Sequence, residues 1–93
     1  MLTYKSAYKL CEGIYLGEVL DFPGTVTFGH SLDEARRNLS GALSDMAEAN
    51  LLDGLPLPLP DSSRSDPDAD LEEPIYLLMQ TGQHLSQNVA TTP

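Results

Sequence analysis

The chain has 93 residues, 14 Asp and Glu against 5 Lys and Arg, and a formal net charge of −9 at pH 7. That length suits one domain with a modest core, and the lack of any basic stripe excludes direct binding to nucleic acid, because nothing is there to displace counterions from phosphates. The acidic surplus suits solubility or a basic protein partner, since opposite fields steer association.

Residues 3–11 alternate, with Tyr4, Ser6, Tyr8 and Leu10 on one face and Lys5, Ala7, Lys9 and Cys11 on the other. This predicts a first strand whose lysines suit a solvent-facing or edge position. The single cysteine, Cys11, has no partner for an internal disulfide, and its place in a strand predicts a buried or half-buried thiol. Glu12-Gly13 is a turn signal, and residues 14–20 read as a second strand. Gly17 in its middle marks a bulge or a close backbone approach.

Pro23-Gly24 predicts a type II turn, with Pro fixing φ at the second position and Gly supplying the positive φ at the third. Asp21, just before it, suits bonding to local amides. A third strand follows over residues 25–29, where Val26 and Phe28 alternate with Thr25 and Thr27 as in a half-buried strand. The connections are too short for crossovers, so the three strands form an antiparallel meander. Ser31 and Glu34 make a capping box that opens a helix. Leu32, Ala35, Leu39, Ala42, Leu43, Met46 and Ala47 recur at three and four and give it one apolar stripe. Asp33 and Arg37 are spaced to pair across a turn. Gly41 costs about 1 kcal/mol relative to Ala and suits a close approach by another element. The helix ends near residues 50–53, with Gly54 as its stop.

Alternate prolines at 56, 58 and 60 exclude helix and predict an extended strut that lays Leu55, Leu57 and Leu59 on the core. Residues 61–73 are acidic and have little to bury, which predicts a mobile loop. Ile75-Tyr76-Leu77-Leu78-Met79 is a nearly all-apolar run and predicts a fourth strand, buried on both faces or paired centrally. The domain is therefore expected over residues 1–79 with its mobile loop at 61–73, and residues 80–93 form a polar C-terminal tail. The fold class is α+β, β-β-β-α-β, with an antiparallel sheet and one helix packed on a face.

No catalytic constellation stands out. His30 and His84 each lack a second ligand at metal spacing, no histidine is placed beside Cys11, and the glycines do not form a phosphate-cradling run. The acids near 66–73 lack the spacing of a calcium loop. No cofactor or metal is expected, and the chain is not expected to be an enzyme. No charged-then-apolar leader or membrane-length run occurs, which predicts a cytoplasmic protein without a membrane partner.

Phe22-Pro23-Gly24, Thr27-Phe28-Gly29 and Ser31-Leu32-Asp33-Glu34-Ala35-Arg36-Arg37-Asn38-Leu39, followed by a Leu-Pro-x-Pro segment, resemble the signature of the HicB-like antitoxin family. The match covers roughly residues 4–60. It implies a truncated ribonuclease-H-like fold without nuclease activity. It further implies a protein that neutralises a HicA-type mRNA interferase, a small basic ribonuclease with a catalytic histidine, by masking its active site. Most members add a C-terminal DNA-binding helix-turn-helix or ribbon-helix-helix. Nothing after Met79 is long or basic enough for either, so DNA binding is not implied. The family's Pro-Asp before the turn is Leu20-Asp21 here, its usual Asp at the strand-to-helix junction is His30, and the acidic stretch 61–73 is longer than its pattern.

On the antitoxin reading the toxin contacts are expected at the helix acids Asp33, Asp45 and Glu48 and at Glu18 and Asp21 beside the turn, with Pro23, Gly24, Ser31 and Glu34 as the structural motif. The alternative is a solitary HicB-like protein that self-associates without a toxin. A homodimer is expected in either case, as the commonest symmetric assembly of small domains.

Overall fold

The computed structural model describes residues 2–78. Met79 and the tail 80–93, with His84, lie outside them. Strand β1 (Thr3–Cys11) turns into β2 (Ile14–Val19) through Glu12-Gly13, both at positive φ, the two-residue hairpin geometry that matches strand twist. Strand β3 (Val26–Gly29) pairs with β2, helix α1 (Leu32–Leu52) crosses the sheet, and β4 (Leu71–Tyr76) returns beside β1. The sheet runs β3-β2-β1-β4, antiparallel throughout. The β-β-β-α-β order is as expected.

The turn before β3 is built as its residues require. Thr25 N donates to Phe22 O at 3.3 Å, and Gly24 has φ +90. The helix start departs from the simple capping box in one detail. Ser31 Oγ accepts from Glu34 N at 3.1 Å, but the Glu34 carboxylate accepts from His30 N–H, one residue before the cap. That bond is the main reason the Glu34 carboxyl lies below its usual range. Asp53 caps the other end, and Gly54 follows at φ +73.

The core lies between α1 and one sheet face. Ala35, Leu39, Leu43 and Ala47 of the helix meet Tyr4, Tyr8 and Val19 of the sheet, with Phe22, Ile75 and Leu77 closing the sides. Tyr4 and Phe22 pack edge to face at 5.4 Å, a geometry favoured by the ring quadrupoles. Gly29 marks where strand and helix come closest. A Cβ there would stand 2.5 Å from Ala35 N and 2.9 Å from Ala35 Cα.

Several expectations are corrected. Strand β1 is central, so of the two positions expected for its lysines the edge fails and the outward-facing one holds. Cys11, at the strand's end, is exposed. Gly17 sits in an unbroken ladder without a bulge, and what approaches it is a side chain, the Tyr8 ring, and not backbone. Gly41 faces open space, with no described element against it. Arg36, not Arg37, pairs with Asp33, at 3.2 Å.

Strand β4 starts four residues earlier than the apolar run and occupies a sheet edge. Of its residues only Ile75 is buried, and Leu71, Glu72 and Glu73 belong to it and not to the loop. In the proline strut Leu57 packs on the core while Leu55 and Leu59 are exposed. Tyr4 Oη anchors the strut by donating to Pro58 O at 2.7 Å.

Candidate protein-binding surface

In a strand, side chains alternate between faces, and directly paired residues share one. The register therefore places Tyr4, Ser6, Tyr8, Gly17, Val19, Thr27 and Gly29 toward the helix, and Lys5, Ala7, Lys9, Leu16, Glu18, Val26 and Phe28 on the outer face. This reverses the natural reading of β3. Its bulky residues point away from the core, with Val26 at 59% and Phe28 at 56% exposure, while Thr25 and Gly29 are buried. Leu16 lies directly opposite Phe28 and is 42% exposed. The three make an apolar patch on the β2–β3 half of the outer face. Single exposed apolar side chains need no explanation, but adjacent ones mark an interaction surface.

The β1–β4 half of the same face is covered by residues 61–70. Lys5 Nζ donates to Ser62 O at 2.9 Å and to Arg64 O at 2.8 Å, and pairs with Glu72 at 3.5 Å. Lys9 Nζ lies 3.6 Å from Asp66. Asp70 N donates to Tyr8 O, and Asp70 Oδ2 accepts from Leu10 N. Ala7, between the lysines, is buried. The acids of this segment largely satisfy backbone. Asp61 accepts from Ser63 Oγ and from Ser63 N, and Glu72, at the start of β4, accepts from Asp66 N and Ser65 Oγ. These bonds hold both carboxyls below the usual range.

The five expected contact acids do not converge. Asp45 and the half-buried Glu48 lie at helical angles opposite the buried stripe of α1, while Asp33 flanks the stripe at the helix start and pairs with Arg36. Glu18 is exposed on the other side of the molecule, next to Val26 in the register. Asp21 is buried, 4% exposed, and both of its oxygens are taken. Oδ1 accepts from Lys5 N at 2.8 Å and Oδ2 from Asp61 N at 2.9 Å. It ties the end of β2 to β1 and to the segment 61–70, and presents no free charge. Pro23 and Gly24 shape the turn, and Ser31 and Glu34 the helix start, as the motif implies.

The cations are largely committed within the fold. Lys5 and Lys9 are held as above. Arg36 makes a two-pronged pair with Glu73, Nε–Oε2 2.8 Å and Nη2–Oε1 2.9 Å, and Arg64 lies 3.8 Å from Asp61. What remains at the surface is therefore net carboxylate. Among the described residues no three His, Cys, Asp or Glu side chains come together as a metal site, and no helix is long and apolar enough to cross a membrane. A shallow groove of about 480 Å³ runs between α1 and β4, lined by Tyr8, Arg36, Ser40, Ile75 and Tyr76.

The apolar patch had a signal in the sequence. Gly17, Thr27 and Gly29 are the small members of one alternation phase, and small residues mark the face a helix approaches.

Comparison with solved structures identifies the fold. The chain has the architecture of the N-terminal domain of the Burkholderia pseudomallei antitoxin HicB, with a TM-score of 0.67 and 19% identity, covering 84% of this chain and all of that one. It is also similar to a chain of the HicA3 and HicB3 toxin–antitoxin complex, with a TM-score of 0.64 and 19% identity, over 81% of this chain and 96% of that one. No family model and no curated protein matches the sequence.

Proposed function

We propose that this chain is an antitoxin-type binding module that neutralises a small basic HicA-type mRNA interferase by covering its active site. The observation that carries this reading is the coincidence of the whole fold with the HicB N-terminal domain, together with the similarity to a chain of a HicA3–HicB3 complex. The charge distribution supports it independently. With most cations tied to its own carboxylates, the chain offers a negative field to a cationic protein, and complementary fields speed encounter and exclude wrong partners. The placement of the acids favours binding over catalysis. Ribonuclease-H-type chemistry needs carboxylates converging on metal ions, whereas here the buried Asp21 is held by two amides and the exposed acids are spread over opposite sides.

The test is a search for a small basic reading frame flanking the chain's gene and co-expression of the two, and finding no such frame counts against the reading. Growth arrest by that product, relieved when this chain is present, together with co-elution of the two, is the expected result. Arrest that persists with this chain abundant and folded would refute the reading.

A further inference from the structure

We propose that the uncovered β2–β3 half of the outer sheet face, centred on Phe28 with Leu16 and Val26 and rimmed by Glu18, is the surface that holds the basic protein partner. The inference rests on the functional reading above and assigns it a place other than the helix acids.

Three observations carry it. First, the fold covers the neighbouring half of this face with its own segment 61–70, and among the described residues nothing covers the half bearing Phe28 and Val26. Those two residues, with Leu16, form a contiguous apolar centre, and an aromatic side chain at such a centre is the usual anchor of an interface. Second, the one charged side chain on the β2–β3 half of this face is a carboxylate, Glu18. Glu18 has no ion pair among the described residues, and Lys9, opposite Leu16, is directed to Asp66. An apolar centre with a negative border fits an apolar surface with a positive border. A second copy of this chain offers no positive border, and two molecules of charge −9 repel one another.

Third, the contact is by face and not by edge. Strand β3 has only four residues, and Phe28 O, on its outer edge, already accepts from Asn38 Nδ2 at 2.9 Å. Antiparallel alternation leaves only the Val26 backbone groups and Phe28 N–H along that edge, too few to template another strand.

The experiment measures affinity by calorimetry between the full chain and, in a catalytically inactive form, the small basic protein whose growth arrest this chain relieves in the co-expression test above. Phe28→Glu is expected to weaken binding by about 100-fold or more and Phe28→Ala by about tenfold. The double change Asp45→Lys with Glu48→Lys is expected to leave affinity within about threefold, as distant exposed charges do. Because Phe28 is exposed, its variants keep the melting temperature of the parent, and that control separates lost contact from lost fold. Binding that survives Phe28→Glu overturns this surface while leaving the functional reading standing. So does a parent dimer that Phe28→Glu splits without changing partner affinity, for the patch is then a self-interface. No binding by the parent chain removes the functional reading and this surface with it.

Discussion

Replacement of Asp21 tests the claim that this carboxylate is a structural clamp. Its two oxygens take the amides of Lys5 and Asp61, at 2.8 and 2.9 Å, from two different segments. Lys5 O in turn accepts from Leu20 N at 2.8 Å, so Asp21 extends the β1–β2 ladder past Val19 and fastens the segment 61–70 to it. Asp21→Ala removes both acceptors at once. A hydrogen bond to a charged group contributes about 1.5–3 kcal/mol when intact, and a buried donor left unpaired costs about 1–3 kcal/mol. Both amides are only partly buried, so water recovers some of this, and a total of about 2–3 kcal/mol is expected.

In a domain of this size each kcal/mol moves the melting temperature by about 4–8 °C, giving a fall of roughly 10–20 °C. Asp21→Asn keeps one acceptor but turns an NH₂ toward the other amide, so about half the loss is expected. Thermal unfolding followed by circular dichroism reads both. Faster amide exchange at Lys5 and Asp61 accompanies the loss. An Asp21→Ala protein melting within about 3 °C of the parent would refute the reasoning, and so would an Asn variant whose partner affinity drops while it remains folded.

Gly29→Ala forces a Cβ to within 2.5 Å of Ala35 N. The neighbour is backbone at a capped helix start, so the strand and helix must separate, and a loss of about 1–3 kcal/mol in denaturant unfolding is expected. Thr25 Oγ1 is buried with no hydrogen-bond partner among the described residues, so Thr25→Val, of nearly equal shape, should raise stability by about 1 kcal/mol. An unchanged or lower midpoint would mean that a water partners the hydroxyl. The carboxyls of Glu34, Asp61 and Glu72 are all depressed below 4.5, 3.8 and 4.5 respectively by hydrogen bonds they accept in the fold. Depressed acids contribute stability that is complete above the unfolded values and is lost as pH falls through the folded ones. The melting temperature should therefore fall as pH drops below about 4.5, and Glu72→Gln should flatten that decline.

The parts of the fold legible in the sequence are those fixed by local chemistry. Pro23-Gly24 can make few turns, Ser31 and Glu34 can cap only a helix that begins beside them, and the period of Leu39, Leu43 and Ala47 fits only a helix. The features that were not legible are set by tertiary phase. An alternation such as Thr25-Val26-Thr27-Phe28 says that one face is buried, but hydrophobicity and the small residues Gly17, Thr27 and Gly29 point to opposite faces, and the strand alone does not decide between them. Hydrophobicity favoured Val26 and Phe28, while packing required the small residues against α1 because Gly29 touches the backbone of Ala35. Strand β4 escaped for a related reason. Leu71-Glu72-Glu73 reads as loop until Glu73 is seen pairing with Arg36 and Glu72 receiving the amide of Asp66, and both partners are distant from a strand's own pattern. Asp21 likewise reads as an exposed turn acid, since the Asp61 amide it binds is 40 residues away.

The separation of charge from apolar surface bears on how such a module would work. Asp33, Asp45 and Glu48 stand on the helix, across the sheet from its outer face, so they cannot border a contact centred on Phe28, yet they contribute to the same long-range field. Field strength governs the rate of encounter and fades with salt, whereas the desolvated centre of an interface governs how long the complex lasts. On this structure the two tasks fall to different faces. On the proposed reading the helix acids would draw a cationic partner in, and the β2–β3 patch, with Glu18 at its border, would retain it. That division also explains why charge alone directed attention to the helix, for sequence composition reports the field of the whole molecule, while the residues that would set the lifetime of a complex are uncharged and emerge only when the strand's phase is known.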